Sequence, residues 1–144
     1  MRRVWRGLLL SALLAGVASS VRADGFVVVA HPGVEGSTIS RETLAAIYLK
    51  KVVQWGDHTS IRPVDQSGKS LVRHAFSAQV LGRSLSEIQR FWWDRLAVDR
   101  VSPPTIKSTD EEVLAFVART QGAIGYVSAA ADVPPDVKVV RLKD

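Results

Sequence analysis

The sequence predicts an α/β fold, a mixed sheet with helices on both faces, and three observations carry that prediction. Residues 26–30, Phe-Val-Val-Val-Ala, form a continuous run rich in β-branched side chains, the pattern of a strand buried on both faces. Short apolar runs of this kind alternate with amphipathic stretches that open on capping residues, and no internal repeat is present, as expected of strands joined by crossover helices. The chain has no cysteine, so packing alone must hold its core. A thiolate metal site and a lipid anchor on an N-terminal cysteine are both excluded.

The first residues read as an export signal. Arg2, Arg3 and Arg6 make a positive start, residues 8–17 an apolar run, and Val21-Arg22-Ala23 a small-residue cleavage site. The apolar run is short for a membrane span, and Arg2-Arg3 lacks the residues that would complete a twin-arginine signal. The expected division is a signal peptide at 1–23 and one domain at 24–144, periplasmic or secreted, whose 121 residues suffice for one core and not for two. Four of the 19 Lys+Arg and none of the 14 Asp+Glu lie in the leader, so 15 against 14 remain and the balance falls from +5 to +1. With the basic excess mostly in the leader, no nucleic-acid partner is expected.

After the strand at 26–30, His31-Pro32-Gly33 turns the chain. Ser40 is then a helix N-cap, Glu42 suits the first turn, and Ile39 with Leu44 has the spacing of a hydrophobic staple. Leu44, Ile47 and Tyr48 form that helix's buried stripe, and Lys50-Lys51 lie at the end that favours cations. Trp55-Gly56-Asp57-His58 reads as a turn anchored to the core by Trp55. Residues 61–64 form a short strand. The helix after residue 70 carries Leu71, Val72, Ala75, Phe76 and Val80 inward, leaves Arg73, His74 and Ser77 on its polar side, and stops at Gly82.

Ser86 and Glu87 open the next helix, with Ile88, Phe91, Trp92 and Leu96 as a core stripe, Trp93 on its flank, and Arg90, Arg95 and Arg100 on a solvated face. Pro103-Pro104 breaks the helical pattern and 105–107 is extended. Ser108 with Glu111 forms a capping box ahead of the inward stripe Val113, Leu114 and Val117. The strand at 123–127 contains a glycine and follows Gly122, so its backbone can pass close to a neighbouring helix or a ligand. Residues 137–142 close the chain as an edge strand.

The stretch with the clearest binding chemistry is Asp65-Gln66-Ser67-Gly68-Lys69-Ser70, between a strand and a helix. A Ser-Gly turn there places small hydroxyls and backbone N–H groups at the positive end of the helix, where an oxyanion is attracted; an ordinary helix cap uses the same residue types. Gly68-Lys69-Ser70 has the look of the end of a nucleotide P-loop, but the glycine that loop needs five residues earlier is Pro63. Proline has no N–H to offer a diphosphate and a fixed φ, so an ATPase is excluded. The candidate ligand residues are Asp65, Ser67, Gly68, Lys69 and Ser70, with Arg73 in support, on the rim where crossover loops gather.

The order of motifs resembles one lobe of the substrate-binding proteins of phosphate ABC transporters, a single-lobe short form of the type II periplasmic-binding-protein fold. A strand ending in a proline turn (27–32), SRETLAAIYLKKVVQWGD (40–57), IRPVDQSGKS (61–70) and VLAFVARTQGAIGYVSAA (113–130) carry the resemblance over nearly all of 24–144. It implies a loop of the form Arg-x-Asp-Gly-Ser-Gly-Thr, of which Asp65, Ser67 and Gly68 match, while Pro63 replaces the arginine, Gln66 the glycine before the serine, and Lys69 the threonine. Arg62 is one residue out of register and on the opposite face of the strand. Losing the arginine fork removes a charge-assisted pair of roughly 1.5–3 kcal/mol, which Lys69 replaces with poorer geometry. By the same resemblance, Asp65 would accept the proton of hydrogen phosphate, and a single lobe cannot close over its ligand.

Other chemistries find less support. Ser67 and Ser70 have His74 and Asp65 nearby in sequence, but no nucleophile-elbow pattern, so no enzyme is expected. His31, His58 and His74 fall in three elements without zinc spacing, and neither a metal nor a cofactor is called for. Two functions stay open: an exported domain binding phosphate or a similar small oxyanion, linked to ABC-type uptake, or a ligand-free accessory or protein-interaction module. The candidate partners are the oxyanion, a membrane transporter or sensor component, and a second copy of the chain.

Overall fold

The computed structural model describes residues 25–144; the expected signal peptide at 1–23 and the start of the mature chain at Asp24 lie outside the described residues. In chain order the elements are β1 (Phe26–Ala30), β2 (Thr38–Ser40), α1 (Arg41–Tyr48), β3 (Arg62–Gln66), α2 (Leu71–Phe76), α3 (Leu85–Asp99), β4 (Thr105–Lys107), α4 (Asp110–Arg119), β5 (Ala123–Ser128) and β6 (Lys138–Lys143). The strands form one six-stranded sheet in the order β2-β6-β1-β5-β3-β4. It is mixed: β1 runs antiparallel to β5 and β6, whereas β2 pairs parallel with β6, and β3 pairs parallel with β4 and β5.

The two-residue period of the strands sorts their side chains into two cores. Phe26, Val28 and Ala30 of β1 join Ile124 and Tyr126 of β5 on one face, under Leu44, Ile47 and Tyr48 of α1 and Phe76 of α2. Val27 and Val29 join Ala123 and Val127 on the other, under Val113, Leu114 and Val117 of α4. Helices therefore cover both faces, as the fully buried run at 26–30 requires. Helix α3 stands apart, with Ile88 and Trp92 closing a small cluster over Leu49. Among the described residues, no helix is long and apolar enough to cross a membrane.

Several sequence expectations shift. Ser40 caps α1 as expected, but α3 is capped by Ser84, two residues before Ser86, in a capping box with Glu87, and α4 by Thr109, one residue past Ser108, with Glu112 in place of Glu111. Lys50 lies beyond the end of α1, at φ 54°. β6 is not an edge strand, because β2, three residues long and not anticipated, pairs outside it.

The helix after residue 70 turns Val72, Ala75, Phe76 and Val80 to the core as expected, and departs from expectation at Leu71 and Ser77. Leu71 is 85 % exposed and Ser77 is buried, its hydroxyl donating to the carbonyl of Arg83 at 2.6 Å. Leu71 is the first residue of α2, and Ser77 opens a π turn at Ser77–Leu81 that follows α2 directly and ends at Gly82 in the left-handed region. Arg73, assigned to the polar side, is largely buried as well.

Candidate anion site and the cleft beside it

β3, β4 and β5 run in the same direction, so the turn after Gln66, the start of α4 and the end of β5 share one rim of the sheet. Gly122 holds the opposite end of β5 close to the loop before β3: its carbonyl accepts from Arg62 N–H at 3.0 Å and from Trp55 Nε1 at 3.0 Å. Trp55 thus anchors its turn as expected. Gly125, in mid-strand, passes so near α4 that an added Cβ would lie 2.7 Å from Val64 Cγ1 and 2.9 Å from Val113 Cγ1. The close neighbour is a helix and a strand of the same core.

At the end of β3, Asp65 is buried and fully engaged. The Tyr126 hydroxyl donates to its Oδ1, Gln66 N–H donates to the same oxygen at 2.8 Å, and Arg73 Nη1 lies 3.1 Å from Oδ2. Arg73 comes from α2, and its Nη1 also donates to the carbonyl of Gln66 at 2.6 Å. The side chains of Arg73 and Asp65 are only 12 % and 8 % exposed. An arginine that Pro63 denies to the strand therefore reaches Asp65 from the helix. Burial raises the Asp65 carboxyl above its ordinary value, against the pull of Arg73, Tyr126 and Gln66. Burial and the neighbouring Asp65 push the Tyr126 hydroxyl far up, so it stays a donor.

The turn itself is partly committed. Ser67 N–H donates to Lys107 C=O at 3.0 Å, and Ser67 Oγ accepts from Lys69 N–H at 3.3 Å. Ser70 is occupied in capping: its hydroxyl accepts from Arg73 N–H at 3.3 Å and donates to Gln66 Oε1 at 2.7 Å. His74 Nε2 reaches Gly68 C=O at 3.1 Å. Among the described residues, the N–H of Gly68 has no protein acceptor, and Arg73 uses Nη1 alone for its side-chain bonds. Lys69 is exposed.

Sequence reasoning missed the second half of this network. Gln66 Nε2 donates to Asp110 Oδ1 at 2.9 Å and to Tyr126 C=O at 3.0 Å, and the Ser128 hydroxyl donates to Asp110 Oδ2 at 2.6 Å. Nothing local marks Asp110 and Ser128; the one available signal was Gln66, a long amide where the resembled loop has glycine.

Beside the turn lies a cleft of about 580 Å³. Asp65, Gly68 and Arg73 form one end of it, and the walls come from α3 and the residues leading into β4. Trp93, Leu96 and Ile106, which line it, are 70 %, 50 % and 54 % exposed. The expected core stripe of α3 therefore holds at Ile88 and Trp92 and fails at Leu96, which faces the cleft. Among the described residues, no group of three or more His, Cys, Asp or Glu is placed to hold a metal ion.

No family model matches the sequence, and no curated protein matches it. Solved structures do resemble the fold. An ABC-type phosphate transport receptor from Vibrio cholerae superposes with a TM-score of 0.64 at 19 % identity, over 83 % of this chain and 46 % of that one. PstS from Borrelia burgdorferi gives 0.66 at 14 % identity, over 84 % and 48 %. A Clostridium perfringens protein assigned as a phosphate ABC transporter substrate-binding protein, solved with bound phosphate, gives 0.62 at 22 %, over 83 % and 45 %. The chain spans less than half the length of each of these structures. In fold it is a lobe of the periplasmic-binding-protein type seen in phosphate ABC transporter substrate-binding proteins.

Proposed function

We propose that this protein is an exported binding-protein-like domain that holds phosphate or a similar small oxyanion at the turn after β3, in the service of ABC-type uptake. The observation that carries the reading is that Gly68, whose N–H has no protein acceptor among the described residues, and Arg73, which uses only Nη1 in its side-chain bonds, line the same cleft. In this reading the Ser67 hydroxyl and Gly68 N–H contact the anion, and Lys69 adds positive charge at the rim. Asp65 orients Arg73, and Ser70 fixes the helix start. Structural likeness to phosphate-binding proteins supports the ligand class and the kind of membrane partner.

Calorimetric titration with inorganic phosphate at low salt tests the reading, on the wild type and on Ser67→Ala. Heat from the wild type that is lost or strongly reduced in Ser67→Ala is the expected result. An absence of heat at millimolar phosphate favours the second reading, a protein-interaction module, which the exposed Trp93, Leu96 and Ile106 support.

A further inference from the structure

We infer that the cleft beside the turn takes a phosphomonoester with an apolar carbon body, whose phosphate sits at Gly68 and Arg73 and whose body lies along α3. The inference rests on the oxyanion reading above and adds the substrate class. At about 580 Å³ the cleft has the size of sites for whole organic ligands, roughly 300–1,000 Å³, and inorganic phosphate would fill a small part of it. Its two ends differ in chemistry. Gly68 and Arg73 supply donors at one, beside the Asp65 carboxylate that Arg73 neutralises, while Trp92, Trp93, Leu96, Pro104 and Ile106 make the rest mainly apolar, with Ser86 and Gln89 as its polar members.

Charge leads to the same class. Arg73 is paired with Asp65 at 3.1 Å, so the end that would receive the phosphate offers N–H donors with little net charge. A phosphate group gains little there whether free or esterified, since both carry nearly the same charge near neutral pH, so the carbon body supplies the preference. A ligand with a ring or acyl body gains in addition from covering Trp93, Leu96 and Ile106, large apolar groups that face solvent.

Trp92 and Trp93 line the cleft, so intrinsic tryptophan fluorescence reads its occupancy. The purified protein is titrated with inorganic phosphate, phenyl phosphate and phenol, and the phosphate and phenyl phosphate titrations are repeated calorimetrically. The expected result is that phenyl phosphate binds at least about tenfold more tightly than phosphate and perturbs tryptophan emission, with phenol far weaker. Trp93→Ala, at an exposed position that should leave folding intact, removes most of the advantage of phenyl phosphate and leaves phosphate affinity unchanged. Phosphate binding with no advantage for phenyl phosphate overturns the inference and leaves the oxyanion reading standing. Phenol binding as tightly as phenyl phosphate overturns the phosphomonoester class, and silence from both phosphates overturns the inference and the oxyanion reading together.

Discussion

Asp65 is tolerated in the interior because three donors converge on its carboxylate, and Arg73 is the charged one among them. Removing one partner of a buried ion pair costs more than the pair itself contributes, since the other charge is left without compensation. Arg73→Ala should therefore destabilise the fold by about 3 kcal/mol, read as a lowered urea midpoint at unchanged slope. Asp65 also sets a pH dependence. Its folded-state carboxyl is raised, so the folded chain binds more protons there than the unfolded chain, and stability falls as pH rises from the ordinary carboxylate range through the raised value. The stability difference between wild type and Asp65→Asn should shrink or change sign in the same direction across that window, measured by urea titrations at a series of pH values. A difference that grows with pH would show that Arg73 and Tyr126 outweigh burial.

At the level of elements, β5 is the strand on which the site is hung. It bonds β1 on one side and β3 on the other, carries Tyr126 to Asp65, and is entered through Gly122 at φ 78°. An added Cβ at Gly122 would lie 2.1 Å from the carbonyl oxygen of Ser60, so backbone must move, and the φ is unfavourable for any L side chain. Gly122→Ala should cost about 3 kcal/mol and lower the thermal midpoint accordingly. The capping box of α3 offers a milder comparison. Ser84 accepts from Glu87 N–H at 3.3 Å, and Glu87 Oε2 accepts from Ser84 N–H at 2.7 Å, both in solvent. Ser84→Ala should cost about 1 kcal/mol, measured the same way.

On the scale of the whole fold, the proposed anion position lies beside a cleft lined by exposed side chains, where solvent competes for the same donors. Binding of inorganic phosphate should accordingly be weak, with a Kd of about 1 mM, or roughly −4 kcal/mol, in the calorimetric titration. Trp93 and Leu96, the exposed part of the cleft's apolar wall on α3, contribute little to folding. Trp93→Ser with Leu96→Ser should change stability by less than about 0.5 kcal/mol per site, while binding of a hydrophobic fluorescent dye drops measurably.

The fold was legible wherever the physics is local. A β-branched run announced β1, Ser40 and the Leu44, Ile47, Tyr48 stripe announced α1, and the two-residue and 3.6-residue periods together implied a sheet covered on both faces. β2 was not legible, since three residues carry too little pattern, and neither was the π turn at Ser77–Leu81, where Ser77 is buried instead of solvated. For the candidate site, the sequence located the Ser-Gly turn and the residues on it, because turn and cap chemistry depend on near neighbours. Only the tertiary structure decided their surroundings. Tyr126 meets Asp65 across 61 positions of chain and Asp110 meets Gln66 across 44, and neither distance leaves a trace in local spacing. The same holds for the cleft: whether an apolar side chain on α3 is core or wall depends on what packs against it, and that is a property of the assembled fold.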